Sequence, residues 1–242
     1  MNAPFDYAQG KQRKIILALD VDSFSKAKHF VNLLYPEINI FKVGAQLFTG
    51  CGPKIIEYIH KKGAEVFLDL KFYDIPHTVA NAVVSAVRLK VKMLTLHISG
   101  GQVMLEAAVK AAKQEALRLK QKRPLLIGVT VLTSQEARQE DILKLAKLGL
   151  ESGLDGIVCS GQETKFLRRK IKRKCIIVTP GIRLPANTRD DQKRIRTAQE
   201  AIKAGSDFLV IGRPIIEAHN PQAALTKIVR GEKYGRRYSG LN

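Results

Sequence analysis

Residues 66 to 78 read Val-Phe-Leu-Asp-Leu-Lys-Phe-Tyr-Asp-Ile-Pro-His-Thr. The apolar run Val66, Phe67 and Leu68 has strand character and leads directly into Asp69, Leu70 and Lys71. Side chains alternate across a strand, so Asp69 and Lys71 project to one side and Leu70 to the other. Opposite charges at the end of an apolar strand are costly to take out of water. Asp74 adds a third charge on the loop that follows. Clusters of titratable groups in such a setting mark active sites. The bland alternative is a solvated strand end with an incidental ion pair, and the rest of the chain decides between them.

Outward from this segment one pattern recurs, a short apolar strand followed by an amphipathic stretch. Strands are expected at 15–19, 38–43, 65–70, 93–98, 125–130, 156–159, 175–179 and 208–211. Helices are expected at 25–34, 53–62, 79–89, 103–119, 140–151, 163–170, 191–203 and 223–229. Asp22 and Ser23 precede the first helix and Ser134, Gln135 and Glu136 the fifth, as capping residues do. Gly63, Gly153 and Gly205 follow helices. Alternating strand and helix implies a parallel sheet. Eight such units in 242 residues fit a single-domain α/β fold, the (β/α)8 TIM barrel, better than an open doubly wound sheet. No Gly-x-Gly-x-x-Gly follows the first strand, which argues against dinucleotide binding. The barrel is expected to span 1–242, with a short polar segment at 1–13 and a basic tail at 231–242.

Barrel enzymes carry their chemistry at the C-terminal ends of the strands. The expected strands end at or near Asp20, Lys42, Asp69 with Lys71, His97 with Ser99, Thr130 with Thr133, Arg183, and Gly212 with Arg213. The charged residues therefore collect at one mouth. Phosphate sites often follow strands seven and eight, at the start of a short extra helix. Gly212 admits the backbone to a phosphate and Arg213 adds a charge-assisted contact. The polar stretch from Pro180 to Gln192 reads as a lid whose Arg183 and Gln192 reach that phosphate, or else as a plain connector.

Composition narrows the class. Hydrophobic residues make up 45%, enough for a full core, and no stretch approaches a membrane span. Met1 to Gly10 is polar and lacks the apolar region of a signal peptide. Cys51, Cys159 and Cys175 fit neither a zinc site nor a disulfide framework. Together these point to a reducing cytoplasm and to no membrane partner. The net charge is +19, densest in the run from Lys165 to Lys174. Phe166, Leu167 and Ile171 give that run one apolar stripe, so it reads as a helix with a solvated basic face. With no nucleic-acid-binding motif beside it, no nucleic-acid partner is expected. A positive field would help gather an anionic substrate.

Asp69-Leu70-Lys71-Phe72-Tyr73-Asp74-Ile75-Pro76-His77-Thr78 resembles the Asp-x-Lys-x-x-Asp-Ile-Pro-x-Thr signature of the orotidine 5′-phosphate decarboxylase family. Leu17–Asp20, Phe41–Gly44, Val131–Ser134, Ser152–Gly156, Thr179–Arg183 and Ile211–Arg213 resemble its other blocks in order. The resemblance implies a (β/α)8 homodimer without metal or organic cofactor that makes uridine 5′-monophosphate, the last step of de novo pyrimidine synthesis. It implies Lys71 as proton donor, Asp69 against the substrate carboxylate, and Asp20 and Lys42 at the ribose and in the charge network. Asp74, Ile75 and Thr78 would reach the partner's site, with Asp74 joining Lys71. Thr133 would sit at the pyrimidine, and Arg183, Gln192, Gly212 and Arg213 at the phosphate. The high charge and the tail are no part of that pattern.

Two rivals share features. Mg2+-dependent decarboxylases of 3-keto-gulonate 6-phosphate in the same superfamily share the Asp-x-Lys-x-x-Asp core. Here Ile75-Pro76, Thr78 and Gln192 favour the nucleotide enzyme. A basic RNA-binding module on a barrel scaffold is the reading from another class. His77 and His97 are read as solvated and structural respectively, with no catalytic role.

Overall fold

The computed structural model describes residues 14–132, 137–182 and 197–231. Among these, eight parallel strands close into a barrel in sequence order: β1 (Ile15–Ala18), β2 (Ile40–Gly44), β3 (Glu65–Phe72), β4 (Met93–His97), β5 (Leu125–Val129), β6 (Gly156–Val158), β7 (Ile176–Thr179) and β8 (Phe208–Ile211). Ile15 lies opposite Leu209, so β8 returns to β1 and no edge remains. The described helices are α1 (Phe24–Leu34), α2 (Ala45–Cys51), α3 (Lys54–Lys61), α4 (Pro76–Arg88), α5 (Gly101–Arg118), α6 (Gln139–Glu151), α7 (Gly161–Lys170), α8 (Ala198–Ala204), α9 (Arg213–Ile216) and α10 (Pro221–Arg230). Those from α1 to α8 supply the crossovers that parallel neighbours require, and α9 and α10 follow β8.

Strand alternation splits the apolar residues into two populations. Outward-facing Ile15, Leu17, Phe41, Val43, Val66 and Leu68 pack beneath the helices. Inward-facing Ile16, Ala18, Ile40, Phe67, Met93, Ile127, Val178 and Val210 fill the barrel. Each large apolar side chain buried this way contributes about 1.5–3 kcal/mol. This apolar floor gives the strand ends above it a rigid base.

The expected strands all form. So do the expected helices that lie within the described residues. Ser23 caps α1, its Oγ accepting the Lys26 N–H at 3.4 Å. Gly63, Gly153 and Gly205 end helices with φ of 84°, 96° and 108°. The capping residues expected at 134–136 lie outside the described residues, as do the segments 1–13 and 232–242. Helix α2 was not expected. It holds only seven residues between Gly44 and Gly52, too few to display a helical period.

The basic run also differs from its expected form. Helix α7 stops at Lys170, with Ile171 as its cap. Arg168 turns inward: its guanidinium donates to the carbonyls of Gly205 and Cys175 and pairs with Asp207 at 2.5 Å. Other cations of the run are exposed. Lys172, Arg173 and Lys174 precede β7, Lys120 and Lys122 precede β5, and Lys61 and Lys62 precede β3. All seven lie where the chain enters strands, at the end of the barrel opposite the mouth. These charges therefore do not line the approach to the site.

Candidate active site

Two residues beyond the apolar floor, the inward positions turn polar. Asp20 follows Ala18, Lys42 follows Ile40, Asp69 follows Phe67 and Thr95 follows Met93. Period-two alternation keeps each on the inner side. The strand ends thus deliver two acids, a lysine and a hydroxyl into one ring, with Lys71 a further two residues along β3.

The ring is an alternating charge network. Lys42 Nζ lies 3.0 Å from Asp20 Oδ1 and 3.4 Å from Asp69 Oδ2. Lys71 Nζ donates to Asp69 Oδ1 at 2.9 Å, and the Thr95 hydroxyl donates to the same oxygen at 2.9 Å. Asp69 is therefore the hub, with only 12% of its side chain exposed. Burial pushes its carboxyl pKa up, but the charges of Lys42 and Lys71 and the hydrogen bonds from Lys71 and Thr95 outweigh it. The carboxyl lies below its ordinary value of 3.8. Desolvating such a carboxylate costs several kcal/mol, which two ammonium groups and a hydroxyl offset. Asp20, Lys42, Gly44, Asp69, Leu70 and Lys71 line a cavity of about 150 Å³. A side chain at Gly44 would come within 3.1 Å of Lys42 Nζ, so glycine leaves room for the ammonium.

The strand carrying Asp69 and Lys71 is irregular. Leu68 pairs with Leu94 and Phe72 with Leu96, so four residues of β3 span two of β4. Within this bulge Lys71 adopts φ 49°. Its backbone N–H donates to Thr95 Oγ1 at 2.9 Å. Thr95 was not singled out in the sequence, because an uncharged Thr within Met93–His97 reads as an ordinary strand residue. The available signal was its register, two residues beyond inward-facing Met93.

Asp74 does not join Lys71 within the chain. Its Oδ1 accepts the Ile75 N–H at 2.6 Å and its side chain faces solvent. Ile75 and Tyr73 on either side are 66% and 63% exposed, and Thr78 is exposed on the first turn of α4. His97 packs its ring at 5.7 Å from that of Tyr73. Burial, and then the charge of Lys71, push the His97 pKa down. His77 is exposed and meets Asn81 at 3.1 Å. Gly212 ends β8 close to β1, where a side chain would come within 3.3 Å of both Ala18 Cβ and Asp20 Oδ2. Arg213 opens α9 next to it, exposed. Thr133, Arg183 and Gln192 lie outside the described residues.

The chain is similar to known proteins over most of its length. Residues 13–228 match the model of the orotidine 5′-phosphate decarboxylase / HUMPS family. Curated orotidine 5′-phosphate decarboxylases from Coxiella burnetii and Vibrio cholerae are 46% and 45% identical to the chain. Each alignment covers 89% of this chain, and 94% and 96% of the respective relative. The crystal structure of orotidine 5′-phosphate decarboxylase from Lactobacillus acidophilus superposes with a TM-score of 0.78 at 33% identity, over 90% of this chain and 98% of that one. An orotidine 5′-phosphate decarboxylase from Pyrococcus horikoshii, at 23% identity and a TM-score of 0.73, shares the fold. With a closed barrel, the signature folded into a charge network at its mouth, and a family match across most of its length, the chain belongs to the orotidine 5′-phosphate decarboxylase / HUMPS family.

Proposed function

We propose that the chain converts orotidine 5′-monophosphate to uridine 5′-monophosphate with Lys71 as the acid, using no metal or organic cofactor. The observation that carries this reading is the placement of the Lys71 ammonium, held 2.9 Å from a buried Asp69 that Lys42 also faces. The bond from C6 to the carboxylate carbon breaks, CO2 leaves, and the electron pair stays on C6. A fixed ammonium beside that carbon stabilises the developing charge and then delivers its proton to C6. Asp69 pairs with the Lys71 ammonium and presents a negative oxygen to the substrate carboxylate. Lys42 and Asp20 take the ribose hydroxyls. Both oxygens of Asp69 face ammonium or hydroxyl donors, which supports the cofactor-free reading over a metal-bound sugar-phosphate decarboxylase.

Thr133 contacts the pyrimidine in this reading, while Arg183, Gln192, Gly212 and Arg213 hold the phosphate. The enzyme works as a homodimer in which Asp74, Ile75 and Thr78 enter the partner's site, Asp74 meeting the partner's lysine. Tyr73 and Ile75, exposed on either side of an exposed Asp74, are the apolar side chains that such a contact would cover. Three free thiols, two of them buried, support a reducing cytoplasm; activity recovered from a secreted fraction would overturn that placement.

The test is ultraviolet absorbance of orotidine 5′-monophosphate incubated with the protein in excess EDTA. Rapid conversion is expected. Activity that appears only with added Mg2+ would move the reading to the sugar-phosphate enzymes. A second test addresses the phosphate. Arg213→Ala is expected to raise KM by roughly 10- to 100-fold, the loss of a charge-assisted contact. The same substitution should leave a phosphate-free substrate almost unaffected. Equal losses on both substrates would remove Arg213 from the phosphate site.

A further inference from the structure

The bulge between β3 and β4 raises the question of what holds Lys71 in place. At φ 49° its backbone sits in the left-handed region, which is unfavourable for a residue other than glycine. The register carries no regular pairing between Leu68 and Phe72, so the strand ladder does not restrain it. Thr95 fills the gap. Its Oγ1 accepts the Lys71 N–H at 2.9 Å, and its hydroxyl donates to Asp69 Oδ1 at 2.9 Å. The direction is forced, because a carboxylate only accepts, a backbone N–H only donates, and the hydroxyl has one proton to give. Thr95 is 1% exposed, which keeps water from replacing either bond. A β-branched side chain has few rotamers, so the oxygen stays in one position.

The geometry points to Thr95 as a positioning residue for the decarboxylation, tying the Lys71 main chain to the Asp69 carboxylate and so setting where the ammonium meets C6. This rests on the reading that Lys71 is the acid. Thr95 does not line the cavity, so it acts through its two neighbours. Asp69 Oδ1 receives both the Thr95 hydroxyl and the Lys71 ammonium, which makes it the point where main-chain and side-chain placement of Lys71 are coupled.

Thr95→Val keeps the shape and removes both bonds. Its kcat is expected to fall about 30- to 100-fold, the effect of a displacement near 1 Å at the reacting centre. Its KM should stay within about threefold, because ribose and phosphate contacts lie on other strands. Thr95→Ser keeps the hydroxyl and is expected within about fivefold of the natural enzyme. Calorimetric binding of uridine 5′-monophosphate at one per chain excludes an inactive fraction as the source of the fall. If Thr95→Val does not fold, Thr95→Cys takes its place, a thiol being a weak hydrogen-bonding group, with the same split expected. Natural activity with an unchanged kcat in the folded Val or Cys variant overturns the role of Thr95 alone. A fall in Thr95→Ser as deep as in Thr95→Val also overturns it. Natural protein that does not decarboxylate overturns both this role and the functional reading beneath it.

Discussion

Lys71→Ala is expected to lower kcat by more than roughly 10⁴-fold, because in the proposed mechanism one ammonium supplies both charge stabilisation and the proton. The protein should still fold. Asp69 keeps Lys42 at 3.4 Å and the Thr95 hydroxyl at 2.9 Å, so the buried carboxylate is not left alone. The Lys71 side chain is itself 37% exposed, which limits what its loss costs the fold. Absorbance assays with an unfolding curve check both halves. Full activity in the folded variant would sink the mechanism.

The same variant tests the proposed sharing of the site between subunits. In the proposed homodimer, Lys71→Ala mixed with Asp74→Ala would form hybrids in which one site holds an intact lysine and an intact partner aspartate. Equal mixing is expected to recover about one quarter of the natural activity, half of the dimers being hybrids with one good site each. No recovery on mixing, with exchange of subunits shown, would place Asp74 at its own chain's site or at none.

Asp69→Asn is the second large effect. Asparagine keeps the shape but removes the charge that Lys42 and Lys71 share, so kcat is expected to fall by roughly 10³-fold. Breaking a fully buried ion pair costs about 3–5 kcal/mol. Here Lys42 retains Asp20 and Lys71 is partly solvated, so a loss of about 1–2 kcal/mol at pH 7 is expected. The pH dependence has a definite sign. The folded carboxyl titrates below 3.8, so its contribution to stability is present above about pH 4. It is lost as pH falls through the folded value. The stability gap between natural protein and Asp69→Asn should therefore close on acidification, as denaturant unfolding at pH 7 and near pH 3 would show. A gap unchanged across that range would mean that Asp69 does not stabilise the fold as an ion.

Much of this was legible in the residue order. Strand and helix periods depend on neighbours within one segment, and each strand is an apolar run bounded by turn residues. The barrel follows from their count and alternation. Asp69 and Lys71 were legible as a pair because they stand two apart at the end of an apolar run, although a bulge rather than regular alternation turns Lys71 toward Asp69. Asp20 and Lys42 were legible because each ends a strand of the same barrel. The short helix α2 was not, since seven residues show no period. Thr95 was not, since its register beyond Met93 shows that it faces inward but not that it bonds to β3. Arg168 read as part of a solvated basic face, and only packing against Cys175, Gly205 and Asp207 turned it inward.

The sequence by itself determined the order of elements, the alternation that aims each side chain in or out, and the charges at each strand end. Those are local properties of a chain with a period of two or 3.6. The tertiary structure alone decided which groups meet. Parallel pairing sets β1 to β4 side by side, converting residues 75 positions apart, Asp20 and Thr95, into members of one network around the Asp69 carboxylate. The bulge in β3 then gives Lys71 its turn toward Asp69. It also decided that exposed cations scattered through the order gather at the end where strands begin. Distance in space, and the loss of water that comes with burial, belong to the closed barrel and to no segment of it.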